Sequence, residues 1–181
     1  MTFEYADPKW RDLFRIGGMA CIVIAASVTF AIAAYFIWPY QDSVIAMETI
    51  FDLLQADCLG GLLSLDLAML VIAPVNIFMF LALYAGLRKQ NESYALVALV
   101  LALIAVVLVI QARPLAELVL LSEKYAGAED AAEQMLYLSA GSALHSYFSG
   151  TAWIIQTAFF MVAGLINCLL MLRVTYFRRV T

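Results

Sequence analysis

Charge is scarce in this chain of 181 residues: Lys, Arg, Asp and Glu make up 13% of it, against 65% hydrophobic residues. So few charges cannot solvate a water-facing shell around an apolar core, which excludes an ordinary soluble globule. Histidine occurs once, as His145, and no second imidazole or clear carboxylate spacing supports a metal site. The three cysteines, Cys21, Cys58 and Cys168, lack CxxC or ligand spacing, so neither a disulfide framework nor a zinc site follows. They read as small apolar fillers between helices. HExxH, Walker-type and GxGxxG patterns are missing, and the serines around His145 (Ser139, Ser142, Ser146, Ser149) form no nucleophile elbow. No catalytic residue and no cofactor is expected. No basic stripe with interleaved aromatics exists, so nucleic acid is not an expected partner. No Pro/Gly/Ser-rich linker and no long hydrophilic stretch divides the chain, which reads as one domain over residues 1–181.

What is present in abundance is uninterrupted apolar sequence. Four runs, Ile16–Trp38, Leu62–Leu87, Tyr94–Gln111 and Trp153–Leu172, each approach or exceed the ~20 residues that cross a ~30 Å hydrocarbon core. Mean hydropathy is +0.93. Segments in a bilayer must satisfy their backbone polar groups internally, and a β-barrel would need short alternating segments, so these runs predict helices. The expected fold class is an all-α integral membrane protein with four transmembrane helices. Ala31-Ile32-Ala33 has the small-residue look of a signal cleavage site, but the apolar stretch is too long for one and continues through Tyr35, Phe36 and Trp38, which predicts a retained anchor. Trp38, Tyr40 and Trp153 fall where amphipathic rings favour the outer headgroup zone.

The charges sort by sign between the runs. Lys9, Arg11 and Arg15 precede the first, Arg88 and Lys89 follow the second, and Arg173, Arg178 and Arg179 follow the fourth. The other two loops carry Asp42, Glu48, Asp52 and Asp57, then Glu117, Glu123, Glu129, Asp130 and Glu133, with only Arg113 and Lys124 among them. Lys and Arg near span ends are retained inside, so both termini are expected to be cytoplasmic, in the cell membrane, with both acidic loops external. The basic rim suits anionic headgroups, and membrane lipids are the expected partners. A homo-oligomer or a partner membrane protein is the other partner class considered.

The acidic loops carry apolar periodicity of their own. Ile45, Ile50, Phe51, Leu53 and Leu54 interleave with Glu48, Asp52 and Asp57, close to the period of an interfacial helix, and Gly60-Gly61 is expected to end it. Pro114 opens Leu115–Tyr125, Gly127 interrupts, and Glu129–Phe148 resumes with Met135, Leu136, Leu138 and Leu144. Residues 43–58 and 114–149 are therefore expected to form an external helical cap.

Polar residues inside apolar spans are costly, so the few present are the best pointers to packing or function. At ~1.5 Å of rise per residue, Asp66 and Gln156 lie about a turn in from the outer surface and Gln111 and Arg113 end the third run at the outside, so the four share a level. Arg113 is the cation expected near Asp66, which predicts an ion pair buttressed by Gln111 and Gln156. The alternative is that Arg113 reaches outward to headgroups while Asp66 faces water beneath the cap. Deeper, Asn76 and Asn167 form an intramembrane polar pair, read as interhelical hydrogen bonding. Pro74 is expected to kink the second helix beside Asn76. His145 joins the outer cluster as a residue of the cap near the fourth span.

Three functions fit this pattern. The first is non-enzymatic binding of a lipid-like or apolar ligand, or of a partner membrane subunit, within a bundle closed by the cap. The second is a small transporter or channel acting as an oligomer, suggested by Pro74 beside Asn76 with Asp66 on the same run. The third is a lipid-modifying membrane enzyme using His145 and the external carboxylates.

Several short segments also carry a resemblance. Ala82-Leu83-Tyr84-Ala85-Gly86-Leu87-Arg88, Leu121-Ser122-Glu123-Lys124-Tyr125-Ala126, Ala140-Gly141, Gly150-Thr151-Ala152 and Met171-Leu172-Arg173 together resemble a prokaryotic multi-pass membrane family catalogued as domain of unknown function 4386. The similarity covers roughly two-thirds of the chain, from the second run to near the end. It implies a multi-pass membrane protein and carries no activity over to any residue.

Overall fold

The computed structural model describes residues 8–37 and 46–173. Trp38, Tyr40, Asp42, the first residues of the expected cap and the basic pair Arg178 and Arg179 lie outside the described residues. After a 3-10 turn at Pro8–Trp10 come α1 (Arg11–Ile37), α2 (Met47–Ala56), α3 (Cys58–Ser64), α4 (Leu67–Leu87), α5 (Glu92–Gln111), α6 (Leu115–Ala126), α7 (Ala131–Phe148) and α8 (Thr151–Leu172), with no strand among the described residues. Four stretches of helix, which include α1, α4, α5 and α8, are long and apolar enough to cross a membrane.

Helix ends follow local chemistry. Asn91 accepts from the Tyr94 N–H at 3.1 Å ahead of α5, and Asp130 accepts from the Glu133 N–H at 2.7 Å to start α7. Asp57 separates α2 from α3, and its carboxylate accepts from the Gly60 N–H at 3.0 Å. Gly60 and Gly61 therefore lie inside α3 rather than ending α2, because a side-chain cap on Asp57 restarts the helix before them. The expected second run from Leu62 is also divided. Leu65 and Asp66 form a turn, and the long helix begins at Leu67. Pro74 lies inside α4 without ending it.

Chain contacts divide the protein into two units. The first takes the described residues up to Ala26, Ile72–Leu108, and those from Ile155. Its packing rests on small residues. Ala95, Ala98, Ala102 and Ala105 recur on one face of α5 at intervals of three and four, each at most 1% exposed. Ala102 meets Phe80 of α4 and Ala163 of α8, and Ala95 meets Leu87 and Leu170. The Phe80 and Phe160 rings stack at 5.9 Å. On α1, a Cβ added to Gly17 would overlap Ala82 of α4 and lie 3.2 Å from the Phe78 carbonyl oxygen, so the two backbones approach closely only with glycine there. The other face of α5, with Val97, Val100, Ile104 and Val107, is exposed.

The second unit, made of the described residues in 27–71 and 109–154, is packed by large side chains. Met47, Ile50, Phe51 and Leu54 on α2 repeat at helical spacing and join Leu65, Leu115 and Leu118 in one cluster. Phe51 and Leu118 are fully buried, and Phe51 lies 5.5 Å from the Tyr125 ring. Gly141 of α7 admits Phe51, since a Cβ there would stand 2.6 Å from the ring's Cζ. Leu138 and Leu144 of α7 pack against this cluster, whereas Met135 and Leu136 are exposed. Gly141 is the buried centre of this face of α7, with half-buried Leu138 and Leu144 to either side, and Met135 and Leu136 lie on the far side of the helix from it.

Candidate functional site

The site is built where α5 gives way to α6. Pro114, which cannot donate a backbone hydrogen bond, precedes α6, and the Leu115 N–H donates to the Arg113 carbonyl at 2.9 Å. Arg113 thereby follows the C-terminal turn of α5, where unsatisfied carbonyls favour a cation. Its Nη1 donates back to the Val109 carbonyl at 3.0 Å, and its Nη2 donates to Asp66 Oδ2 at 3.1 Å. The guanidinium carbon stands 5.4 Å from the centre of the Trp153 ring. A buried cation is costly unless paired and hydrogen-bonded; here a carboxylate, a carbonyl and an aromatic face all meet it.

The pair is asymmetric. The Arg113 side chain is 2% exposed and that of Asp66 41%. Arg113 pairs with Asp66 and does not reach outward, while Asp66 keeps part of its contact with solvent. Asp66 is also the one non-glycine residue with positive φ among those described, at 67°. Its short polar side chain tolerates this left-handed conformation better than a branched one would. The Asp66 carbonyl accepts from the Met69 and Leu70 N–H groups at 2.9 and 3.3 Å and so starts α4. One residue therefore turns the chain with its backbone and neutralises a buried cation with its side chain.

Beside the pair lies an open cleft of about 320 Å³, lined by Ile110, Gln111, Arg113, Pro114, Glu117, Leu144 and Tyr147. Ile110, Pro114 and Leu144 supply apolar surface, while Gln111 and Glu117 are exposed polar groups and Tyr147 contributes an amphipathic ring. Gln111 thus joins Arg113 at the cleft. Gln156 is buried on α8 and belongs to the first unit. His145 is half-buried on α7, one residue from Leu144 but not among the lining residues. Its carbonyl accepts from the Ser149 hydroxyl at 2.9 Å. Among the described residues no three His, Cys, Asp or Glu side chains gather as a metal would require.

In the first unit, the Asn76 amide donates to the Ile72 carbonyl at 3.1 Å, within its own helix rather than across to Asn167. Asn167 is buried on α8. Pro74 leaves the Leu70 carbonyl, not that of Ile72, without its helical donor, so the Asn76 amide does not replace the bond lost at the proline.

Three residues outside the expected polar cluster make specific contacts in this unit. Trp153, expected at the outer headgroup zone, presents its ring to Arg113; an Arg and a Trp at one level were the available signal. Gln55 donates to Ser122 at 3.1 Å, and the Ser122 hydroxyl donates to the Val119 carbonyl at 2.8 Å. Ser122 occupies the buried stripe that Leu115 and Leu118 begin on α6, and a polar residue at such a position calls for a partner.

In comparisons with known proteins, no family model, no curated protein and no solved structure matches this chain.

Proposed function

We propose that this chain is a multi-pass protein of the cell membrane, both termini cytoplasmic, that binds a lipid-like amphipathic ligand without chemical conversion. The α2, α6 and α7 helices form its external cap. The observation that carries the reading is the cleft: apolar Ile110, Pro114 and Leu144 stand beside polar Gln111 and Glu117, a lining that matches a molecule with one greasy and one polar end. The charge of Arg113 is already answered by Asp66, which suits a structural anchor for that lining better than a reacting group. A partner membrane subunit is the other occupant this surface fits. Kinship with domain of unknown function 4386, proposed on the segments quoted above, adds only the multi-pass character.

Transport by an oligomer ranks second, resting on Pro74 and Asn76 in α4, where the amide is engaged within its helix. A lipid-modifying enzyme ranks third, because His145 is outside the cleft lining. Native mass spectrometry of protein extracted with its lipids tests the first reading. The wild type is expected to retain an amphipathic molecule that Leu144→Trp, which fills the cleft, releases. Equal retention by both proteins refutes it. Cysteine-accessibility labelling tests the topology: modification of Ser93→Cys from outside intact cells would overturn it.

A further inference from the structure

The first unit gathers nearly all of its charge at one end. Among its described residues, six basic side chains, Lys9, Arg11, Arg15, Arg88, Lys89 and Arg173, stand against two acidic ones, Asp12 and Glu92. The contacts of this unit bring their helix ends together. Arg88 places its guanidinium 4.7 Å from the centre of the Trp10 ring, joining the start of α1 to the end of α4. Phe14 packs at Gly86, one turn further in. Leu87, Ala95 and Leu170 share a cluster, which sets the end of α8 and Arg173 beside the α4–α5 turn.

Arg11, Arg15 and Arg173 are exposed, and so are the apolar residues that follow them on α1, Ile16 and Met19. The surface therefore changes from cationic to apolar over a single helical turn. This is the profile of a headgroup layer meeting acyl chains. Trp10 adds an amphipathic ring at the junction, held in place by Arg88.

We infer that this end is a docking surface for anionic phospholipids, with Arg11, Arg15 and Arg88 around Trp10 taking the phosphate and the exposed face of α1 taking the acyl chains. Charge complementarity selects the occupant. An excess of four positive charges favours an anionic headgroup over a zwitterionic one, and the adjoining apolar face favours a lipid over a free anion. The surface is independent of the Arg113 cleft, so either can fail while the other holds.

The test uses the full chain in nanodiscs holding equal amounts of phosphatidylglycerol and phosphatidylcholine, followed by native mass spectrometry of retained lipid. Wild type is expected to retain phosphatidylglycerol with a preference of at least about tenfold, the amount that one or two basic residues at a membrane surface supply. Arg11→Gln with Arg15→Gln and Arg88→Gln should lower the preference severalfold, while Lys124→Gln in the other unit leaves it intact. Raising salt on the wild type should weaken it progressively, a measurement that needs no variant to fold. No preference in the wild type, a preference unchanged in the triple variant, or loss of bound lipid to excess inorganic phosphate at constant ionic strength would each overturn the inference.

Discussion

The two units bury different kinds of residue. In the first, the least exposed positions are alanines, Ala98, Ala102, Ala105 and Ala163, with Gly17 at the closest backbone approach. In the second, Phe51 and Leu118 are the least exposed, and Ile50 and Leu54 are buried, as are the small Ala112 and Ser122. The difference matches the proposed arrangement. There α2, α6 and α7 meet water, where large apolar side chains gain by leaving solvent. In hydrocarbon that gain vanishes, and helices associate through close contact that small residues permit. Charge separates the same units: nine acidic and two basic described side chains lie in the second, against two acidic and six basic in the first.

The sharpest way to break this contrast is to remove the large side chain at the centre of the second unit. Phe51→Ala should cost about 3–5 kcal/mol. Hydrogen exchange should then rise in α2, α6 and α7 while α5 keeps its protection. Faster exchange spread evenly over both units would show that they are not packed by separate means.

Next in size is the Asp66–Arg113 pair. Asp66→Asn keeps a residue that accepts the left-handed backbone but leaves the buried guanidinium without its counter-ion, for an expected loss of about 3 kcal/mol. Combining it with Arg113→Gln should cost less than the sum of the two single changes, as read by thermal unfolding in detergent. Strict additivity would mean that solvent at Asp66 already screens the pair.

Ala102→Leu should destabilise by about 1–3 kcal/mol, because the added carbons have no room beside Phe80 and Ala163. Val100→Leu, on the exposed face of the same helix, should be close to neutral. A neutral Ala102→Leu would show that close helix approach is not what holds the first unit. The smallest expected effect is that of Ser122→Ala, about 1 kcal/mol, from the lost hydrogen bond to Gln55.

The long helices were legible because their apolar runs are long and their ends carry ordinary punctuation. The third run was expected from Tyr94 to Gln111 and forms a helix from Glu92 to Gln111, opened by the Asn91 cap. The alanine stripe was harder to see, since hydropathy counts Ala with Leu and Val and hides the alternation of small and large within a uniformly apolar segment. Asp66 and Arg113 could be singled out as charges out of place in apolar surroundings. The break at Asp66 could not, because Leu62–Leu87 offers neither proline nor glycine where the chain turns and the backbone torsion of one residue leaves no mark on hydropathy. The Arg113 contact of Trp153 left no separate mark, because an aromatic at a span end fits headgroups and cations equally well.

The turn at Asp66 also governs length. A helix running unbroken from Leu62 to Leu87 would measure about 39 Å, and one from Cys58 about 45 Å, both well beyond a ~30 Å hydrocarbon core. Beginning instead at Leu67, α4 has 21 residues and measures about 31 Å. A single left-handed residue thus trims a run that is too long into a segment matched to bilayer thickness. The surplus leucines, Leu62 and Leu65, are spent on the Phe51 cluster instead of on tilt or on stretching the surrounding lipid.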